Sequence, residues 1–178
     1  VLANKYQYDA NKFAQTVTDM GKEGAAVVLL VNSGDSLRVR AARAIGDMLE
    51  EGGLVVTLSQ LSGEAYTDAL TYRTFDLYLG QTKLSPNMDL TPFFRQYGTL
   101  NYGGLTDSTI YAMAREALAN SGNYYTLHQK VAEDGRLTPI LFRSNAIFAQ
   151  RGAFSSLTPS RDNVFFYHLG RTLSDAKK

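Results

Sequence analysis

Hydrophobic and polar positions recur along this chain with two different periods, and the switching between them predicts its elements. Ala10, Phe13, Ala14, Val17 and Met20 repeat at helical spacing behind Asp9, a good N-cap, and Gly21 suits a left-handed closing position. A helix is therefore expected from about 9 to 20. The run from Ala26 to Val31 is apolar throughout and rich in β-branched residues, the pattern of a strand covered on both faces, and Asn32-Ser33-Gly34-Asp35 ends it with turn chemistry. A second helix is expected with Ser36 as its cap, an inward stripe of Leu37, Ala41, Ile45, Met48 and Leu49, and Gly52-Gly53 as its end.

Leu54 to Leu58 predicts a second strand, Ser62 caps a helix carrying Tyr66, Ala69 and Leu70, and Phe75 to Leu79 predicts a third strand. Alternation of strands and helices in this order places the strands in a mainly parallel sheet with helices on its faces, because parallel neighbours need a crossover connection. Ligands of such sheets sit beyond the carboxyl ends of the strands. The pattern then changes. Gly80 to Gly104 is a long polar and aromatic stretch, read as a functional or mobile loop. Helical spacing resumes at Thr106-Asp107 with Ile110, Met113, Ala114, Ala117 and Leu118 inward, and a further helix from about Tyr124 to Glu133 ends at Gly135, so the two read as an αα-hairpin. Thr138 to Phe142 and Ala146 to Ala149 are expected as strands, and Arg151 to Arg161 as a connection.

Composition narrows the function classes. With 178 residues, 44% of them hydrophobic and 20% charged, the chain has the means to bury a core, and its net charge of +1 is spread without a basic block for nucleic acid or anionic lipid. The absence of cysteine excludes disulfides, thiolate-held zinc and thiol catalysis. No stretch approaches the ~18 apolar residues of a membrane span, and Val1 to Lys5 does not read as a signal peptide. Of the two histidines, His128 falls in a predicted helix and His168 near the end of the chain, and neither lies in a nucleophile, zinc or phosphate-loop motif. Catalytic residues, metal ligands and cofactors are therefore not expected.

The candidate ligand residues follow from the predicted strand ends. Gln81, Thr82, Lys83 and Asp89 come after the third strand, where a cleft forms in sheets of this type, against the alternative of a solvated loop, and Asn32 and Ser33 close the first strand, where a plain turn is the simpler reading. Tyr97, Asn101 and Tyr102 offer stacking faces with polar tips, against the alternative of packing between domains.

Several segments resemble a known family. Tyr8-Asp9-Ala-Asn-Lys-Phe13, the strand at Val27 to Val31, Phe75-Asp-Leu-Tyr-Leu-Gly80, Asn123-Tyr-Tyr-Thr-Leu-His-Gln129, Leu137-Thr-Pro-Ile-Leu-Phe-Arg143 and Asn145 to Gly152 together look like the family 5 extracellular solute-binding proteins of ABC importers. The resemblance implies an α/β, periplasmic-binding-protein-like lobe of type II, a fragment of a two-lobe receptor, with residues 1–150 as the second lobe and 151–178 as the return segment toward a missing first lobe. It further implies a peptide or other small solute as ligand, an ABC permease as partner, and an extracytoplasmic location with a lipid anchor outside this segment. Two departures bear on the solute: Gly80-Gln-Thr-Lys-Leu-Ser85 lacks the acid that meets a peptide ammonium, and Asn32-Ser33-Gly34-Asp35 lacks the arginine of dipeptide-type members. Longer peptides, opines, nickel complexes and sugars stay open. The alternative is a ligand-sensing domain of the same fold without transport, which a helix-turn-helix or transmembrane sensor region in the parent gene would favour.

Overall fold

Asp9 begins the first element as the sequence predicts: in the computed structural model its side chain accepts a hydrogen bond from the Lys12 amide and starts α1 at Ala10–Asp19. The structure describes residues 7–85 and 87–142 together with the strand backbones at 154–159 and 166–171. The order is α1, β1 (Ala26–Asn32), α2 (Ser36–Glu51), β2 (Val55–Leu61), α3 (Gly63–Tyr72), β3 (Leu77–Leu79), α4 (Thr91–Phe94), α5 (Ser108–Ala119), α6 (Tyr124–Asp134), β4 (Phe154–Pro159) and β5 (Phe166–Arg171). Two compact units result. One takes the residues up to Lys83 and Thr91–Ala112, the other Leu84–Leu90 and the residues from Met113 onward.

The first unit holds a three-stranded sheet in the order β2-β1-β3, with both pairings parallel. Ala26 faces Val55 and Asn32 faces Leu61 in one pairing, and Leu30 faces Tyr78 in the other. The continuous apolar run of β1 is explained by its central place. Alternate residues go to opposite faces of a strand, so Leu29 and Val31 pack with Ala42 of α2, while Leu30 packs with Ala69 and Leu70 of α3. Both faces are covered by helices, as the crossover connections require. Asp76 anchors the start of β3 from both ends of its own residue. Its amide donates to the Val28 carbonyl at 3.0 Å, and its carboxylate accepts from the Val28 amide at 2.8 Å.

Several expectations are corrected. Asp35, not Ser36, caps α2, because its carboxylate accepts from the Leu37 and Arg38 amides while Ser36 is already helical. The inward stripe of α2 is rotated from the expected one. Ala42 and Gly46 are its buried residues and Val39 and Ile45 pack beside them, whereas Leu37 and Met48 are exposed. A helix lying close on a sheet selects its smallest side chains for the contact line, and a Cβ at Gly46 would meet Val56 at 3.6 Å. The stretch from Gly80 to Gly104 is no plain loop, since it contains α4, whose Phe93 and Phe94 are buried.

In the second unit, α6 ends as predicted at Gly135, which adopts the left-handed conformation with its amide donating to the Val131 carbonyl. A 3₁₀ turn at Ser121–Asn123 precedes that helix, and Leu127 and Val131 form its buried side. The expected strand at Thr138 to Phe142 is not formed: the segment joins no sheet, and Ile140, Leu141 and Phe142 are all exposed. Apolar, β-branched composition makes a strand only where a neighbour offers its hydrogen bonds. The expected strand at Ala146 to Ala149 lies outside the described residues. The expected connection from Arg151 to Arg161 instead contains β4, which pairs antiparallel with β5, Leu157 facing Leu169.

Candidate functional site at the strand ends

The carboxyl ends of the three parallel strands lie in the first unit, and the turn after β1 already engages some of its own groups. At the end of β1, Asn32 accepts the Gly34 amide at 2.8 Å through its side-chain oxygen, and the Ser33 amide donates to the Leu61 carbonyl at 2.8 Å. The simpler reading of Asn32 as a turn residue thus accounts for its side chain, while Ser33 is exposed. Gln81, Thr82 and Lys83 follow β3 and are exposed at its end. Asp89 belongs to the other unit, where its amide donates to the Ser85 hydroxyl at 3.3 Å.

The aromatic candidates have different fates. Tyr97 is 93% exposed and sits in the left-handed region at φ +58°. Asn101, by contrast, is 8% exposed. Its side-chain nitrogen donates to the Arg95 and Leu105 carbonyls at 2.9 and 3.1 Å, and its oxygen accepts the Leu105 amide at 2.6 Å. Tyr102 alone of the three meets another aromatic group. Its ring stands edge-on to Tyr78, centroids 6.3 Å apart at 85°.

That contact reveals residues the sequence reading missed. Tyr78 is the middle residue of β3 and points to the α3 face, where Tyr66 and Phe75 join it over Leu30, Ala69 and Leu70. Phase alone assigns Tyr78 to this face once its pairing with Leu30 is known, but the pairing is tertiary. Gly80 makes room for the ring: a Cβ there would lie 2.9 Å from Tyr78 Cε2. Arg38, in the first turn of α2, adds a cation near this group. Its Nε is buried 3.4 Å from the Asp35 carboxylate without a hydrogen bond. The signal in the sequence was the i, i+3 spacing of Asp35 and Arg38.

Three phenols and a guanidinium therefore gather on one unit, at and beside the strand ends. Burial pushes the Tyr66 hydroxyl above its ordinary value, the Arg38 charge pulls the other way, and Tyr102 adds a smaller upward push. Burial likewise raises Tyr78, with Tyr66 and Tyr102 adding to it. Both phenols hold their protons more tightly folded than unfolded. Their contribution to stability is present in full below the ordinary tyrosine value of 10.0 and is lost as pH rises from there through the raised folded values. Alkaline unfolding followed by circular dichroism should accordingly begin above about pH 10, and Tyr78→Phe, with no proton to lose, should move its midpoint to higher pH. An unchanged midpoint would contradict the burial of that hydroxyl.

Among the described residues no group of three or more histidines or carboxylates is arranged to hold a metal ion, and no helix is long and apolar enough to cross a membrane. His128 packs edge-on against Tyr124 in α6.

No protein-family model and no curated protein matches this sequence. Solved structures do match. The oligopeptide-binding protein AppA of Bacillus subtilis, in complex with a nonapeptide, superposes with a TM-score of 0.63 at 19% identity, over 73% of this chain and 31% of that one. The fold is the one these binding proteins carry. The murein tripeptide binding protein MppA of Escherichia coli matches with a TM-score of 0.61 at 16% identity, over 74% of this chain and 29% of its own. NikZ of Campylobacter jejuni, in complex with Ni(L-His), gives 0.61 at 16% identity, over 74% and 31%. The α/β, periplasmic-binding-protein-like architecture expected from the sequence is thus the observed one. The chain spans about three-tenths of the length of these structures.

Proposed function

We propose that this chain is part of the solute-binding component of an ABC importer, and that it captures a peptide or related small solute outside the cytoplasm and delivers it to a membrane permease. The observation that carries the reading is the likeness to AppA across 73% of the chain, combined with a tyrosine-lined strand end in the place where sheets of this topology take ligands. In this reading residues 1–150 are one lobe, 151–178 return toward another lobe that supplies the opposing wall, and a lipid anchor lies outside the segment. The contact residues are Gln81, Thr82, Lys83 and Tyr102, with Ser33 at their margin and Tyr66, Tyr78 and Arg38 behind them. Tyr97, exposed on the same unit, reaches the solute only when the lobes close on it, as hinged binding proteins do. The reading asks for no bond to be made or broken in the solute.

The test is amide-resolved NMR of the 178-residue chain titrated with a dipeptide, a tripeptide, a nonapeptide, an opine, a nickel–histidine complex and a sugar. One lobe offers half of the contacts, so the expected result is weak binding, on the order of millimolar, with shifts gathered at Gln81–Lys83 and Tyr102. Shifts from none of these solutes would overturn the assignment. Micromolar or tighter binding would overturn the need for a second wall.

A further inference from the structure

Tyr102 is held in place by its neighbour. Asn101 and Leu105 are joined twice through the Asn101 side chain, which accepts the Leu105 amide at 2.6 Å and donates to the Leu105 carbonyl at 3.1 Å. The Asn101 carbonyl also accepts the Gly104 amide at 3.3 Å. These bonds close a five-residue ring, Asn101 to Leu105, of which Tyr102 is the first inner residue. The ring is fixed to the rest of the unit on two sides. The Asn101 side chain donates to the Arg95 carbonyl at 2.9 Å and the Asn101 backbone amide donates to the Gly98 carbonyl at 2.9 Å, while Gly104 holds the left-handed φ of +67° beside the Arg73 guanidinium.

A buried asparagine with both ends of its amide engaged has nothing left to offer a solute, and its burial is tolerated because its donors and acceptor are matched. Its product is a position: the Tyr102 ring set edge-on to Tyr78 at the strand-end face. We infer that Asn101 is a positioning residue for the solute edge, acting through Tyr102, and that a side chain unable to close the ring releases the tyrosine. Binding energy is then kept for contacts instead of for ordering the loop on each encounter.

That the held tyrosine serves solute binding rests on the function proposed above, but the test of positioning needs no solute. The probe is Asn101→Asp, which keeps the size and the acceptor for Leu105 while turning the donors toward Arg95 and Leu105 carbonyls into a repelling oxygen. With ring-labelled tyrosine, the through-space contact between Tyr78 and Tyr102 should be lost in the variant. A merely structural role would leave that contact unchanged in the folded fraction, and that result would overturn the inference. If the variant does not fold, hydrogen exchange of the unmodified chain decides. The Leu105 amide should be protected at least tenfold, the equivalent of about 1.4 kcal/mol, and an unprotected Leu105 amide would overturn the ring. Failure of the solute reading shows up separately, as an absence of shifts on adding solute to the unmodified chain.

Discussion

Replacing Leu30 by alanine is expected to destabilise the first unit by about 2–5 kcal/mol, the range for deleting a buried leucine side chain and leaving part of its volume empty. Leu30 has no exposed surface, lies in the central strand of three, and supports Ala69 and Leu70 on the face that also carries Tyr66 and Tyr78. The loss should therefore appear twice. Denaturant unfolding should show a lowered midpoint, and the alkaline transition attributed to the buried phenols should move toward pH 10 as their packing loosens. Val55→Ala, on the edge strand at a residue more than half exposed, is the control and should change stability by no more than about 0.5 kcal/mol. Equal losses at the two positions would mean that the sheet is not organised around β1 as described.

Gly98→Ala is the second large effect. A Cβ at this position would lie 2.2 Å from the Pro92 carbonyl oxygen and 3.0 Å from the Arg95 carbonyl oxygen, and both obstacles are backbone. Neither can step aside freely, because Pro92 O accepts the Leu100 amide and Arg95 O accepts both the Gly98 amide and the Asn101 side chain. Overpacking of this kind costs about 1–3 kcal/mol, and each local hydrogen bond broken to relieve it about 1 kcal/mol more. We expect a loss of about 3 kcal/mol or more, together with faster exchange of the Asn101 and Leu105 amides. Gly21→Ala is a useful contrast. Its φ of +62° imposes a backbone penalty of about 1 kcal/mol, but no atom lies within 4 Å of the added carbon, so the loss should stay local to the end of α1. A Gly98→Ala protein as stable as its parent would show that the α4 loop does not pack as described.

The elements that were legible in the sequence share a physical cause: their signals are local. The Asp9 cap, the continuous apolar run of β1 and the left-handed Gly135 each depend on a few adjacent residues, and each stands where it was expected. Where an element depends on a distant partner, its local pattern does not fix its placement. The stripe of α2 was misplaced by one residue because nothing in its own sequence says how closely the sheet approaches, and that approach is what favours Ala42 and Gly46 over Leu37 and Met48. Ile140, Leu141 and Phe142 have the composition of a strand and remain exposed because no sheet edge meets them.

The candidate site divides in the same way. The place of Gln81 to Lys83 after a strand is legible in the sequence, and so is the stacking chemistry of Tyr102. Tyr66, Tyr78 and Arg38 were not found, because a tyrosine inside a strand or helix pattern is indistinguishable in sequence from any other core aromatic. The polarity of Asn101 is compatible in sequence with a ligand-facing residue and with packing between domains alike. Its burial and its three side-chain hydrogen bonds, which face inward, are properties of the folded loop.

The sequence by itself determined the order of elements from α1 to β3 and the parallel character of their sheet, because periodicity, caps and the crossover rule act over short stretches of chain. Only the tertiary structure decided which residues come together at the strand ends. The β1–β3 register sets Tyr78 opposite Leu30, the packing of α3 brings Tyr66 to the same cluster, and Tyr102 stands edge-on to Tyr78. Each of those placements depends on contacts between residues far apart in the chain, and no local pattern encodes their distance.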